Sequence, residues 1–154
     1  MNIEVREIVK DIIGKPCSRK QVGRMKSLSL GFGEIVPNKS RLKESIDYAE
    51  WELGTYYCSW RILKDGRIVC GSQDTADIDD LNVEISKIEV GRFVALRQLT
   101  DLDVRAECDN GIAIDFLATI SDDDECFHIF CPENRHVEFK VISGWKIGPS
   151  DKPW

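Results

Sequence analysis

An alternating segment at residues 102–120, interrupted by Asp109-Asn110-Gly111, constrains the fold more than any other feature of this chain. A two-residue Asn-Gly turn would place Glu107 opposite Ile114, which mixes charged with apolar side chains. A three-residue turn, with Gly111 in the left-handed conformation, gives matched cross-strand pairs: Val104 with Phe116, Ala106 with Ile114, Cys108 with Ile112, and Arg105 with Asp115. Since a slip of one residue moves every side chain to the opposite face, we predict the second register.

Other alternating segments surround this hairpin. Residues 27–72 are typical of strands, and a two-residue turn at Asp65-Gly66 would place Arg61 opposite Cys70. A three-residue turn would instead place Cys58 and Cys70 on one face but four positions out of register, so neither turn allows a disulfide between them. Residues 92–148 are typical of a meander of about five antiparallel strands. Gly31 and Gly33 fall on one face of a predicted strand without the third glycine and helix start of a dinucleotide site, so we attribute them to close backbone packing.

Two segments show helical spacing. Apolar residues recur at helical intervals across residues 3–13, before the stop signals Gly14 and Pro16, and predict an amphipathic helix. Residues 75–88 fit a short helix or a strand, and we favour the helix. The sequence predicts a single α+β domain over residues 1–154, in which the N-terminal helix packs on a mostly antiparallel, strongly curved sheet with a C-terminal β-meander.

The composition is sufficient for a hydrophobic core, and it indicates where in the cell the protein resides. Hydrophobic residues make up 42% of the chain, and no run approaches the roughly 18 consecutive apolar residues of a membrane span. The first residues alternate charged and apolar side chains, without the apolar region of a signal peptide. We therefore expect a cytoplasmic protein that contacts no membrane. We also expect its six cysteines to be buried thiols.

Two groups of tryptophans have different expected roles. We expect Trp51 and Trp60 to lie in the core. Residues 149–154 form a C-terminal tail that ends in Trp154, which we expect to dock back on the sheet. The polar, turn-like segment 37–45 is expected to form a loop.

Charge is distributed unevenly along the chain. The net charge is -6, with +4 on residues 1–71 and -10 on residues 72–154. One basic cluster could hold phosphate, but it lacks interleaved aromatic residues: Arg19, Lys20, Arg24 and Lys26. An acidic half repels nucleic acid and can steer a basic protein partner, so nucleic-acid binding is not expected.

The acidic residues concentrate in two short groups. The first comprises Asp74, Asp77, Asp79 and Asp80, and the second comprises Asp122, Asp123, Asp124 and Glu125. Such groups are commonly solvated turns, and neither has the ligand spacing of an EF-hand loop. We predict no metal and no cofactor, and we interpret all eight residues as candidate contacts for a basic partner.

No catalytic motif is present. The sequence contains no GxSxG, HExxH or phosphate-loop pattern, which favours a non-catalytic protein. Cys126 and His128 are spaced to lie on one face of a strand, beside the second acidic group. If the protein binds a metal or a small molecule instead of a protein partner, we expect these two residues to lie at the binding site.

Several segments within residues 50–149 resemble a group of small bacterial proteins, some of which look like immunity proteins that neutralise a toxin encoded beside them. The resemblance rests on residues 57–62, 68–74, 100–104, 129–130 and 145–149, which are mostly apolar or turn residues. The resemblance implies a fold more than an activity, and it transfers no catalytic residue.

These observations favour one function and leave two alternatives. The first is an immunity protein whose acidic residues occlude a basic surface of a toxin. The second is a domain that binds a small molecule or a metal, as a sensor or an enzyme. The third is a phage or plasmid protein that inhibits a host defence complex. The sequence leaves the oligomeric state open, although an exposed sheet edge would make a dimer feasible.

Overall fold

The computed structural model describes residues 1–37 and 47–151. Two helices lie at α1 (Ile3–Lys10) and α2 (Ile78–Ser86). The first five strands are β1 (Cys17–Val22), β2 (Leu28–Val36), β3 (Tyr48–Thr55), β4 (Ser59–Lys64) and β5 (Arg67–Gly71). The others are β6 (Phe93–Gln98), β7 (Val104–Cys108), β8 (Ile112–Leu117), β9 (Glu125–Cys131), β10 (Arg135–Lys140) and β11 (Gly144–Pro149). The α+β class is confirmed.

The strands form two antiparallel sheets. One sheet has six strands in the order β1-β2-β3-β9-β10-β11, and the other has five in the order β5-β4-β8-β7-β6. The prediction of one strongly curved sheet is wrong, because neither sheet is strongly curled and the strands divide between the two. A polar segment that ends in Asp122-Asp123-Asp124 carries the chain from β8 in the second sheet to β9 in the first.

This crossing also corrects the predicted C-terminal meander. Strands β6, β7 and β8 form a meander in the five-stranded sheet, and β9, β10 and β11 form another in the six-stranded sheet. Alternation identifies each strand and its turns, but it carries no information about which sheet a strand joins.

The hairpin β7–β8 has the predicted register. Val104 lies opposite Phe116, Arg105 opposite Asp115 and Ala106 opposite Ile114. Gly111 adopts a left-handed conformation with φ of 72°. The chemical matching of side chains was therefore sufficient to select the three-residue turn.

The hairpin β4–β5 departs from its predicted register. Its two-residue turn is present, and Asp65 and Gly66 both have positive φ, as a type I′ turn requires. A register shift between Ile62 and Leu63 then places Cys70 opposite Ile62, whereas we predicted that Arg61 would be its partner. The cause is a β-bulge, which inserts an extra residue on one strand.

The N-terminal helix is shorter than the predicted range 3–13. It ends at Lys10, and Gly14, with φ of 86°, donates its backbone N–H to the carbonyl of Phe93. This bond draws the chain into a turn, because the left-handed glycine cannot continue the helix. The buried residues of α1 are Val5, Ile8 and Val9. The helical reading of residues 75–88 is confirmed by α2.

One cluster of buried residues spans both sheets and includes the α1 residues. Trp51 and Trp60 belong to it, as predicted, and each is 2% exposed. All six cysteines are free thiols, and five are buried as predicted, whereas Cys17 is half-buried. The loop expected at residues 37–45 lies outside the described residues except for its first residue, and the docking of Trp154 also lies outside them. No helix in the described ranges is long and apolar enough to cross a membrane.

Candidate functional site

A pocket of about 570 Å³ lies on the outer face of the six-stranded sheet, opposite the core. Its floor comes from β1, β2, β3 and β9. The residues that line it and carry polar or aromatic groups are Arg19, Gln21, Ser27, Ser29, Tyr48, Glu50, Glu52, Tyr56, His128 and Phe130. Its volume falls in the range that holds small ligands, roughly 300–1,000 Å³.

The outer face of this sheet is unusual because it buries ionisable groups. Five of the six buried acidic and histidine side chains in the described ranges lie on β3, β9 and β10 of this sheet: Glu52, Glu125, His128, His136 and Glu138. Burial disfavours the charged form of each group unless hydrogen bonds or opposite charges compensate. The partners of these groups therefore determine what the face can do.

Glu52 is fully compensated. Its Oε2 accepts hydrogen bonds from Arg19 Nη1 at 3.1 Å and from Ser29 Oγ at 3.0 Å, and its Oε1 accepts the Ala49 N–H at 2.9 Å. The Arg19 guanidinium lies 4.8 Å from the centre of the Tyr48 ring. The pair forms a neutral, rigid part of the pocket floor, because each charge faces its partner.

Gly31 lets this pair lie flat on the sheet. A Cβ at position 31 would lie 2.7 Å from the Ala49 Cβ and 2.9 Å from Glu52 Oε1. The close packing that the sequence predicted at Gly31 is therefore confirmed. At Gly33, a Cβ would collide with the side chain of Glu50.

His128 and Glu125 form a buried pair at the pocket. His128 Nδ1 lies 3.0 Å from Glu125 Oε1, and the two residues are 3% and 5% exposed. A register shift in the β9–β10 pairing, between Phe139 and Lys140, brings Glu125 onto the face of His128. We predicted that Cys126 would share that face, and this is corrected: the bulge turns Cys126 into the core cluster.

The other ring nitrogen of His128 is available. Within residues 1–37 and 47–151, His128 Nε2 has no hydrogen-bond partner, and His128 lines the pocket. An ionised Glu125 accepts the Nδ1 proton, which leaves a lone pair on Nε2. The tautomer is assigned from this hydrogen bond. The pair therefore presents a hydrogen-bond acceptor to whatever occupies the pocket.

A row of four rings crosses the same face; we call it the ring row, and it comprises Tyr56, His128, Phe130 and His136. Neighbouring ring centres are 4.6, 5.0 and 4.6 Å apart. Burial, together with nearby His128, lowers the pKa of His136 to about 4. His136 is therefore neutral at physiological pH, and the ring row is chiefly an apolar surface around the His128 acceptor.

The acidic residues predicted to contact a partner fall into two positions. Asp74, Asp77, Asp79 and Asp80 are exposed at the β5–α2 loop and the first turn of α2. Asp122, Asp123 and Asp124 are exposed between β8 and β9. Glu125 differs from these seven residues because its side chain is buried and lies against His128.

Several of these aspartates have local structural roles. Asp77 caps α2 by accepting the Asp80 N–H, and Asp74 accepts the Gly71 N–H. Asp123 accepts two backbone N–H groups from the β10–β11 turn, and the Ser143 N–H, the larger of these influences, lowers its pKa. Local bonding of this kind accounts for aspartates in turns without a partner protein.

The pocket was largely missed from the sequence. Glu52 alternates with Trp51 and Leu53, which is typical of an ordinary strand with one solvated face. A signal was present in β9, where Cys126-Phe127-His128-Ile129-Phe130 has few polar residues on either face. Such a run indicates a strand covered on both sides. No pattern in the sequence indicates the bulge that brings Glu125 onto the face of His128.

Within the part of the chain that the structure describes, no group of three or more His, Cys, Asp or Glu side chains is placed to hold a metal ion. Comparison of the chain with protein-family models, with curated proteins and with solved structures found no match.

Proposed function

We propose that this chain is a small-molecule-binding protein whose ligand occupies the outer-face pocket and forms a hydrogen bond with His128. The observation that carries the proposal is the buried His128–Glu125 pair, with Nε2 left without a partner at a pocket of about 570 Å³. Burying two ionisable groups is costly, and ligand pockets typically place a small number of polar groups among apolar walls.

The rest of the pocket supports the same proposal. Tyr48 and Tyr56 are 46% and 49% exposed at its rim, so their rings can cover a bound molecule. The Arg19–Glu52 pair fixes the floor before any ligand arrives. A preformed site loses little conformational entropy on binding, which favours affinity.

The proposal can be tested with the small-molecule fraction of a bacterial cell extract. The purified protein is incubated with this fraction and recovered by ultrafiltration, and released compounds are identified by mass spectrometry. Ser27→Trp fills the pocket, whereas Ser121→Trp places the same side chain at an exposed position elsewhere. We expect a compound retained by the native protein and by Ser121→Trp but lost from Ser27→Trp. Equal retention by both variants would contradict a ligand in this pocket.

A second candidate, which retains the expected immunity function, is occlusion of a basic toxin in the cytoplasm. It is supported by the exposure of seven of the eight predicted contacts. Asp79, Asp80 and Asp122 are the best candidates, because the side chains of the other four exposed residues accept backbone N–H groups: Asp74, Asp77, Asp123 and Asp124. A phage or plasmid inhibitor of a host defence complex would use the same surface. A dimer through an exposed sheet edge stays a prediction.

Charge reversal tests this second candidate. A basic partner recovered by pull-down from the native host should bind Asp79→Lys/Asp80→Lys/Asp122→Lys with a slower association rate and a weaker salt dependence. Lys87→Glu is the control, since it changes an exposed charge outside the acidic groups. An unchanged association rate in the triple variant would remove the occlusion mechanism.

A further inference from the structure

The orientation of His128 restricts the chemistry of the ligand. A Cβ at Gly54, directly opposite on β3, would lie 3.1 Å from His128 Nε2. The imidazole therefore extends over Gly54, and Nε2 points from β9 toward β2, whose residues Leu28 and Ser29 line the pocket. A ligand in the pocket meets the edge of the imidazole, where the lone pair lies.

The acceptor character of this edge is fixed by Glu125. The other neutral tautomer, with its proton on Nε2, would leave Nδ1 without a proton to donate to Glu125, and the buried carboxylate would then be uncompensated. Glu125 Oε2 already has no hydrogen-bond partner in the described ranges, so its Oε1 bond is the one that compensates burial. The site accordingly selects a group that donates a hydrogen bond.

The surrounding charges favour an uncharged ligand. Arg19 pairs with Glu52 at 3.1 Å, and Lys15 pairs with Glu50 at 2.8 Å. These two ion pairs bring equal numbers of positive and negative charges to the pocket and its rim, and the Glu125 carboxylate, which does not line the pocket, is bound at His128 Nδ1. A ligand with a net charge would gain little Coulomb energy here and would lose hydration on entry.

The walls favour a flat ring. The ring centre of Tyr56 lies 4.6 Å from that of His128, and the ring centre of Phe130 lies 5.0 Å from it. The Arg19 guanidinium lies over the Tyr48 ring. Aromatic walls make their best contacts with a planar molecule whose edge remains free for hydrogen bonding.

We propose that the ligand is an uncharged, planar aromatic heterocycle that donates a ring N–H to His128 Nε2. This inference rests on the proposed small-molecule function and specifies its ligand class. The heterocycle would enter between the two rim tyrosines, with its N–H directed at the imidazole edge over Gly54.

Indole and 1-methylindole test the inference, because they share a planar ring system and differ in the N–H. Each is titrated into ¹⁵N-labelled protein, and dissociation constants are read from the amide shifts of Ser29, Glu52 and Phe130. We expect indole to bind about tenfold more tightly than 1-methylindole, the ratio of one hydrogen bond of ordinary net strength.

Two variants assign the preference to His128. His128→Phe keeps a ring of similar size without an acceptor and should bind both compounds equally. His136→Phe changes the other buried histidine of the ring row, which does not line the pocket, and should keep the preference. Equal affinities in the native protein, or a preference that survives in His128→Phe, would overturn the inference. If neither compound binds, this inference also fails, and the extract experiment decides the pocket proposal separately.

Discussion

At the scale of single residues, buried charge is compensated in different ways on the two sheets. On the five-stranded sheet Asp115 is fully buried, and it accepts hydrogen bonds from Arg61 at 2.7 Å and from Arg105 at 2.6 Å. Burial alone would raise the pKa of Asp115, but the bonds from Arg105 and Arg61 outweigh it and lower the pKa. Both carboxylate oxygens of Asp115 therefore accept hydrogen bonds, whereas His128 keeps one acceptor, Nε2, without a partner in the described ranges.

Asp115→Asn should destabilise the protein by about 3–5 kcal/mol, because it removes the charge that compensates two arginines. Chemical denaturation at neutral pH measures the loss. Glu107→Gln is the control: it breaks an exposed pair with Arg97 and should cost about 1 kcal/mol or less. Since the folded pKa of Asp115 lies below its unfolded value, its contribution is complete above the unfolded pKa and disappears as the pH falls through the folded one. Similar losses for both variants would contradict this account.

The neutral His136 predicts an acid-sensitive stability. Its pKa is about 4 when folded and 6.5 as the reference value, so between these pH values the unfolded chain binds a proton that the folded chain does not. Stability should therefore fall as the pH drops from 6.5 toward 4. His136→Phe keeps the ring beside Phe130 and should flatten this part of the curve, as measured by thermal unfolding at several pH values. A slope that is the same in both proteins would show that His136 is not the source.

At the scale of elements, the close approach of β2 and β3 shapes the pocket floor. A Cβ at Gly54 would lie 2.1 Å from the Leu28 carbonyl oxygen, which is backbone and cannot rotate away. The glycine also leaves the space that the His128 ring occupies. The six-stranded sheet therefore has space at this point for the His128 imidazole.

Gly54→Ala should destabilise the protein by roughly 1–3 kcal/mol or more, the cost of overpacking, and should displace the His128 ring. Gly71→Ala is a matched strand glycine whose nearest atom, the Trp60 carbonyl oxygen, lies 3.3 Å from the new Cβ, so it should be tolerated better. Urea denaturation gives both values. Equal costs would contradict the close approach described here.

The same elements show what the sequence could and could not predict. The β7–β8 register followed from pairing Arg105 with Asp115, because local chemistry distinguished two registers. Strand β1 was not anticipated, since Arg19, Lys20 and Gln21 lack the alternation of a half-buried strand. Backbone pairing with β2 nevertheless holds these residues in a strand, and Glu52 forms an ion pair with Arg19. The His128–Glu125 pair depends on a bulge, which adds one residue without a composition signal.

At the scale of the whole molecule, the two sheets share one core. Phe116 on β8 and Phe127 on β9 lie on different sheets, and their ring centres are 4.8 Å apart. The buried cluster includes residues of both sheets and of α1 and α2. A shared core couples the sheets, because neither can open without exposing the apolar surface of the other.

Unfolding should therefore be a single cooperative transition that reports on both sheets. Phe116→Ala should cost about 3–5 kcal/mol and should keep the transition single. Native-state hydrogen exchange checks this by comparing amides of β8 and β9, which should lose protection together. Protection lost from one sheet alone in Phe116→Ala would show that the sheets are independent.

The proposed site depends on His128, which presents an unprotonated Nε2 to the pocket while its Nδ1–H donates a hydrogen bond to Glu125. The chain has two histidines, so His136→Phe leaves the signals of His128 alone for assignment. Imidazole ¹⁵N NMR at about pH 8, where free imidazoles are neutral, locates the proton directly. We predict a proton on Nδ1 and none on Nε2. A proton on Nε2, with Nδ1 bare, would contradict it.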